Sequence, residues 1–408
     1  MKISTRLAPL PLLTGLVLLA STAAHAQADA QADAVNATRA ALIVAEQAAK
    51  AKDLKPYQAS AIERRVAALQ NVLAEQPSGL YPLFASVYSG GGFTLGAGYR
   101  QFYGDRTHAD VKGLYSLAGY KLVEVSTDSW GHAQGRLDLH ARVGWRDATE
   151  VAFHGVGLDS PEDLTNFRMK QAYVGGDAVI RPGGFTVFGA GLTSEAFTLQ
   201  GGTGRTPSIE EVHTPESAPG LNADPTYLHA TATAGIDSRP SAGYARRGGL
   251  YAVTYHNYAD QDDTYSFDRL DGDVVQHIPI LRENWVISLH GQLQTTLDDN
   301  DIVPHFLLPS LGSGSTLRGY PSWRFRDRHS LLMSAEWRWI PSRVGLDMAL
   351  FYDAGKVGAR FDDLSLKGLK SDVGIGIRLH SPLVTPLRIE LAKGSEGMRL
   401  VFAGSAAF

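Results

Sequence analysis

The sequence predicts an all-β transmembrane β-barrel, and three observations lead to that fold. From Leu80 onward, apolar and polar residues alternate with the period of two that a β-strand imposes. The alternating segments are about 9 to 14 residues long, which suits a tilted strand that crosses a bilayer. One face of each segment carries charges and glycines, as a wet lumen requires, whereas the inner face of a β-sandwich is apolar.

The segment HSLLMSAEWRWI, residues 329–340, shows this alternation most clearly. Ser330, Ser334 and Glu336 fall on its polar face. The apolar face holds every second residue, namely Leu331, Met333, Ala335, Trp337 and Trp339. We expect the sheet to close into a barrel, because an open edge in lipid leaves backbone groups without hydrogen bonds.

The number of alternating segments predicts the size of the barrel. Five segments follow residue 328, near 329–340, 343–353, 371–380, 385–393 and 397–408. Ten precede residue 297, or eleven if residues 107–127 form two strands. Since single-chain bacterial barrels have even strand numbers, we expect sixteen antiparallel strands within residues 80–408.

The N-terminal residues predict a signal peptide over residues 1–26. Lys2 and Arg6 precede an apolar run, and Ala24-His25-Ala26 has the form of a cleavage site. A retained membrane anchor is the alternative.

Residues 27–79 predict a short α-helical periplasmic segment. Within residues 34–76, apolar side chains recur at helical spacing at Ile62, Val66, Leu69 and Leu73. Residues 34–76 are therefore expected to form a helical hairpin packed on the rest of the chain or on itself. Alternatively, they are a docking segment for a periplasmic partner or for a second copy.

The composition excludes several classes of function. The chain has no cysteine, so thiol chemistry and Cys-type metal sites are excluded. Its net charge of −4 lacks the basic excess of a nucleic-acid-binding protein. Lipase-elbow, HExxH and P-loop motifs are absent from the sequence, and the 13 histidines form no evident ligand pair. We expect no enzymatic activity, no cofactor and no metal site.

The Gly-rich segment GSGSTLRGYPSWRFRDR, residues 312–328, interrupts the alternation. Its Arg318 keeps its charge and needs a carboxylate partner in a confined lumen, and Glu336 and Asp353 fall on lumen faces of the strands that follow. The loop is therefore expected to fold back into the barrel, where Arg318 acts as a latch. The alternative is an extracellular loop with a solvated arginine. Arg324, Arg326 and Arg328 are expected at a solvated strand end, or else to line the lumen or meet lipopolysaccharide phosphates.

Several motifs resemble the BamA/TamA superfamily, also called the bacterial surface antigen family. Leu317-Arg318-Gly319-Tyr320 resembles its loop signature, and FYDAG, residues 351–355, resembles its F-x-D-x-G strand motif. Glu336 stands where that family places a glutamate partner of the loop arginine. FHGVG, residues 153–157, is similar to a third motif of the family, and the chain ends in the aromatic Phe408.

The resemblance implies which residues matter. The implied latch consists of Arg318, Gly319, Tyr320, Glu336 and Asp353, with the loop at residues 297–328 held in the lumen. The implied barrel-motif residues are Phe351, Gly355, Gly155 and Gly157. The final strand, with Phe402 and Phe408 on its apolar face, looks like the signal that the barrel-assembly machinery reads.

The resemblance also implies a location and an activity. It places residues 80–408 as an integral barrel in the outer membrane of a Gram-negative bacterium, in contact with lipid and lipopolysaccharide. It implies a weakly paired seam between the first and last strands that assists insertion or translocation of protein or lipid. The chain looks like a short member without periplasmic POTRA domains. A passive pore or structural barrel remains an alternative, as does a surface adhesin acting through residues 200–226.

Overall fold

The structure is a computed structural model, and it describes residues 38–39, 41–50, 64, 78–281, 283–297, 303–341 and 345–408. The predicted signal peptide lies outside these residues, as does most of the predicted helical segment. Residues 41–50 are helical, as expected. No helix of the described residues is long and apolar enough to span a membrane.

Within the described residues, eighteen strands follow one another, and sixteen of them form one sheet. Their bounds are β1 Gly79–Leu83, β2 Thr94–Tyr103, β3 Thr107–Ser116, β4 Lys121–Gly131, β5 Leu137–Phe153, β6 Thr165–Ile180, β7 Thr186–Gly201, β8 Thr226–Asp237, β9 Gly248–Asp260, β10 Phe267–Ile280, β11 Trp285–Thr296, β12 Ser310–Leu311, β13 Phe325–Arg326, β14 His329–Trp339, β15 Leu346–Gly358, β16 Lys370–Leu379, β17 Leu387–Gly394 and β18 Gly397–Ala403. Helical turns lie between strands at His132–Gly135, Ile209–Val212 and Phe361–Asp363.

The sheet is antiparallel, and each strand pairs with its neighbours in chain order. Eleven strands precede the loop and five follow it, because residues 107–127 do form two strands, β3 and β4. The sixteen-stranded antiparallel fold predicted from the alternation is therefore confirmed. The short strands β12 and β13 pair only with each other, inside the loop.

Apolar side chains lie on the exposed face of the sheet and charged side chains on the buried face, which is the reverse of a soluble protein. On β14, Trp337 and Trp339 are 42% and 43% exposed, whereas Glu336 is only 2% exposed. Large apolar side chains are exposed in the same way on the other strands, among them Leu289, Leu350, Tyr352, Ile375 and Leu391. A continuous apolar outer face with charges inside is the pattern of a barrel in lipid.

Residues 303–328, the continuous described part of the predicted loop, are enclosed by the sheet, and we call them the lumen loop. Its Leu317, Tyr320 and Phe325 are almost fully buried and pack together. The Trp323 Nε1 donates a hydrogen bond to the Ser89 carbonyl beside β1, at 2.9 Å. At the other end of the sheet, Arg324 Nε bonds Glu396 between β17 and β18, at 2.8 Å. The loop therefore touches both ends of the sheet, which curves around it.

A second apolar cluster, which we call the cap, lies where the long loops meet. It joins the ends of β5 to β10 to the first part of the lumen loop. Its members include Phe153, Phe167, Phe197, Ile209, Ala218, Tyr227, Phe267, Val303, Phe306 and Leu308. The long connection between β7 and β8 contributes Ile209 and Ala218, both fully buried. This connection is thus packed against the lumen loop.

The two edges of the sheet come close to each other at one point. A Cβ built on Gly404, just after β18, would lie 3.2 Å from the carbonyl oxygen of Phe84, just after β1. Among the described residues, no ladder pairing joins β1 to β18.

The expected last strand at 397–408 is wrong in its final five residues. Phe402 is 58% exposed on the apolar outer face, as predicted. However, β18 ends at Ala403, and the Phe408 ring stacks on His290 of the lumen wall with centroids 4.9 Å apart. No neighbouring strand pairs with the described chain beyond Ala403, so the side chains there need not alternate between the two faces of the sheet. The Phe408 ring packs instead on an aromatic partner inside the barrel.

Candidate functional site

Arg318, at the tip of the lumen loop, is the centre of the candidate site. Arg318 is 2% exposed. Its guanidinium donates two hydrogen bonds to the Asp353 carboxylate of β15, from Nε to Oδ2 at 2.7 Å and from Nη2 to Oδ1 at 2.8 Å. Its third nitrogen, Nη1, donates to Glu336 of β14 at 3.1 Å. This two-pronged geometry fits the rigid guanidinium fork and fixes the position of the loop.

Sequence reasoning missed three members of the site. Arg318 Nη1 also bonds Glu390 of β17, at 3.2 Å. Arg378 of β16 lies between Glu336 and Glu390, bonding both, and Arg388 Nη1 bonds Glu390 at 2.8 Å. The sequence did contain a signal for these residues, because each lies on the polar face of its alternating strand. Which polar residues meet depends on how the sheet curves, and the alternation does not contain that information.

The charges of this network balance except at one position. Three arginines face three carboxylates, and all six are at least 95% buried; they are Arg318, Arg378, Arg388, Glu336, Asp353 and Glu390. Asp372, the ladder neighbour of Asp353, is 3% exposed, and neither of its carboxylate oxygens accepts a hydrogen bond from the described part of the chain. Since a buried charge is costly unless it is paired, the three arginines stabilise the three carboxylates that they bond.

Gly319 and Tyr320 bring the loop tip against the wall. A Cβ on Gly319 would lie 2.5 Å from Asp372 Cβ and 2.7 Å from the backbone nitrogen of Gly394. There is thus no room for any side chain at Gly319. The Tyr320 hydroxyl donates to the Ser371 carbonyl at 3.2 Å and lies 3.0 Å from the Ser395 hydroxyl.

The barrel-motif residues named from the sequence surround this contact. The Phe351 ring lies under the Arg318 guanidinium, 3.4 Å from its Cζ, in a cation–π arrangement. A Cβ on Gly355 would lie 2.8 Å from Leu311 Cδ1 of the loop. Gly155 and Gly157 have positive φ angles of 88° and 106°, and Gly157 donates its backbone N–H to the Arg326 carbonyl at 2.8 Å.

The expectation of a solvated strand end at Arg324 and Arg326 is wrong. Both are buried within the lumen loop, at 3% and 1% exposure. Besides Glu396, Arg324 bonds the Ser160 hydroxyl at 2.9 Å, and Arg326 donates to the Ala152 carbonyl at 2.9 Å. Local alternation suggested a strand, but the loop is shaped by contacts with residues far away in sequence.

His305 joins the lumen loop to the β7–β8 connection within the cap. Its Nδ1 lies 3.0 Å from the Pro219 carbonyl, and its ring packs edge-on against Phe153 and Phe167. Burial, with the nearby Arg326 charge, lowers the pKa of His305 to about 3. The cap therefore holds His305 in its neutral form.

Comparison with known proteins gives the network a family context. Residues 230–398 match the model of the Omp85 superfamily domain, and they contain all six members of the charge network. Together with the sixteen-stranded antiparallel sheet, this match supports an outer-membrane barrel of the BamA/TamA type. No curated protein matches its sequence.

Two solved structures share the fold of this barrel. BamA from Haemophilus ducreyi, in a form lacking POTRA domains 1–3, has 16% identity and a TM-score of 0.59, and the match covers 80% of this chain and 69% of that chain. CdiB from Acinetobacter baumannii has 12% identity and a TM-score of 0.50, covering 80% of this chain and 56% of that chain. The present chain thus spans little more than half of CdiB.

We predict that Arg318→Ala frees the lumen loop. Truncating one partner of a buried ion network typically costs about 3 to 5 kcal/mol, because the opposite charges stay buried without compensation. Limited proteolysis of the folded barrel should show faster cleavage within residues 303–328. The matched control is Arg360→Ala, since Arg360 is 80% exposed and its pair with Asp363 contributes little. Equal protection of the loop in both variants would contradict the latch.

We predict that Gly319→Ala weakens the same contact by steric overlap alone. The added methyl group meets Asp372 and the backbone of Gly394, neither of which is the end of a flexible side chain. The thermal unfolding temperature should fall. Gly291→Ala is the control, because a Cβ there meets nothing within 4 Å. A Gly319→Ala barrel as stable as Gly291→Ala would show that the tip does not press on the wall.

We predict that acid loosens the cap through His305. Between about pH 6.5, where an exposed histidine titrates, and about pH 3, the undocked histidine binds a proton that the docked one does not. Docking therefore weakens as pH falls through this range. The protection factors of the backbone amides at residues 213–223, which correct for the intrinsic slowing of amide exchange by acid, should fall with pH in the native protein. His305→Gln, which keeps a polar group, should flatten that response, and an unchanged acid response would exclude His305 as its cause.

Proposed function

We propose that this barrel assists insertion or translocation of polypeptide or lipid at the outer membrane by opening laterally between β1 and β18. One observation carries the proposal: the two edge strands, of 5 and 7 residues, are the shortest of the sheet and share no ladder among the described residues. By contrast, β5 and β6 pair over most of their 17 and 16 residues. Separation of the wall at the edges breaks the fewest hydrogen bonds.

The fixed lumen loop supports this proposal. Arg318 ties the loop to β14, β15 and β17, and Arg388 Nη2 of β17 donates to the Gly314 carbonyl at 2.7 Å. Hydrogen bonds from the lumen loop therefore hold β14, β15 and β17 in place, whereas Arg318 makes no such bond to β1. Such an arrangement lets one edge move against a fixed opposite edge.

The alternatives named from the sequence fit the structure less well. A passive pore needs an open lumen, whereas the lumen loop and the cap occupy the long-loop end of this barrel. An adhesin acting through residues 200–226 needs that connection to be free, and Ile209 and Ala218 anchor it in the cap. A purely structural barrel is compatible with every contact, and the activity assay below tests it.

The helical residues 41–50 supply a candidate for partner recruitment in the periplasm. Leu42 and Val44 are 65% and 63% exposed. We extend the proposal to a periplasmic partner or a second copy that covers these side chains.

We predict that locking the seam abolishes activity. The chain contains no cysteine, so Phe84→Cys with Gly404→Cys introduces a single disulfide between the edges. In proteoliposomes, the protein should accelerate the folding of a second, unfolded barrel into a protease-protected form. The oxidised double variant should lose this acceleration, and a reductant should restore it.

The matched control locks two strands that already pair. Ala97 and Gly113 are register partners on β2 and β3, so Ala97→Cys with Gly113→Cys should leave the acceleration intact under oxidation. Acceleration that survives the locked seam would exclude lateral opening. No acceleration by the native barrel would favour the structural barrel.

A further inference from the structure

A histidine and carboxylate cluster lies on the lumen wall outside the matched Omp85 region. It is formed by His108 and Asp110 of β3, Asp128 of β4 and His140 of β5. His108 Nε2 is 3.1 Å from Asp110 Oδ2 and 3.2 Å from Asp128 Oδ2, and His140 Nε2 is 3.9 Å from Asp128 Oδ1. These residues are scattered in the sequence, so the cluster becomes visible only when three neighbouring strands bring them together.

The distances around His108 fit a shared metal ion as well as a hydrogen bond. One ring nitrogen faces two carboxylate oxygens, and a single N–H can point at only one of them. Two ligands at about 2.0 to 2.1 Å from a tetrahedral metal ion are about 3.3 Å apart, close to the separations seen here. The ligand-bearing atoms of His108, Asp110 and Asp128 all lie within 4.8 Å of one another.

The surrounding charges favour a cation. Arg100 binds Asp110 through two bonds at 2.8 Å and 2.6 Å, and it is the only guanidinium bonded to the cluster within the described residues. Asp177 adds a third carboxylate, 2.8 Å from His140 Nδ1. With neutral histidines, three carboxylates face one arginine, so the group retains negative charge inside the lumen.

His140 has the orientation expected of a metal ligand. The contact of its Nδ1 with Asp177 leaves Nε2 directed toward Asp128, and a carboxylate on the far nitrogen is the usual support of a ligating histidine. Asp128 and His140 are 30% and 31% exposed, which gives an ion access from the lumen. Asp110 is instead fixed in place by Arg100 and by the Tyr81 hydroxyl, at 3.1 Å.

We propose that His108, Asp110, Asp128 and His140 bind a divalent transition-metal ion such as Zn²⁺. Imidazole with carboxylate ligands suits zinc and its neighbours, whereas Ca²⁺ and Mg²⁺ prefer oxygen ligands throughout. The bound ion ties together β3, β4 and β5. Through Tyr81, which donates to Asp110, it also holds the edge strand β1. This proposal stands independently of the transport activity.

The test is Zn²⁺ binding to the purified full chain, measured by calorimetry, with Co²⁺ absorption as a report on tetrahedral ligands. We expect one ion per native barrel and a higher unfolding temperature when Zn²⁺ is added. Asp128→Asn and His140→Gln should each weaken binding at least about tenfold. Both side chains are partly exposed, so these variants are expected to fold, and heat-dependent migration on gels checks that they do.

The matched control is Asp273→Asn. Asp273 of β10 pairs with His290 of β11 at 3.0 Å, away from the cluster and without a third ligand among the described residues, so this variant should not affect Zn²⁺ binding. Absence of Zn²⁺ binding to the native barrel would overturn the proposal, as would native-like binding by Asp128→Asn. The hydrogen-bonded pair His229 and His256 is the competing location, and loss of binding in His229→Gln alone would likewise overturn it.

Discussion

The ion network of Arg318 determines how the inside of this barrel is arranged. A guanidinium that is 2% exposed must be neutralised where it lies, and Asp353, Glu336 and Glu390 do this from three strands. The loop then has one position, and the positions of Tyr320 and of the cap follow from it. Electrostatics thus fixes a segment that has almost no regular secondary structure of its own.

A second constraint is the lipid outside. The outer face is occupied mainly by apolar side chains, and most charges of the sheet therefore face the lumen. On β14 to β17 these charges pair with the lumen loop. On β3 to β5 they pair mostly with one another, and there histidines alternate with carboxylates. The two walls therefore offer different chemistry, a fixed brace on one side and candidate ligands on the other.

The two edge strands of the sheet lie between these two walls. Beyond the close approach of Gly404 to Phe84, the chain leaves the sheet and places Phe408 on His290. On the other edge, Tyr81 reaches from β1 to Asp110. Each edge thus has a side-chain contact within the lumen, but only the β17 side is also braced by the ion network of Arg318.

The sequence by itself determined the fold class and the inward or outward parity of the clearest strands, because a period of two follows directly from strand geometry. It gave sixteen strands only with the rule that single-chain bacterial barrels have even strand numbers. It also indicated Arg318, Glu336 and Asp353, since a charge in a confined lumen requires partners nearby. Only the tertiary structure decided that Glu390, Arg378 and Arg388 complete the network, that Phe408 turns inward, and that the histidine and carboxylate cluster exists. These depend on sheet curvature and on contacts between residues far apart in the chain, and a local alternation carries no information about either.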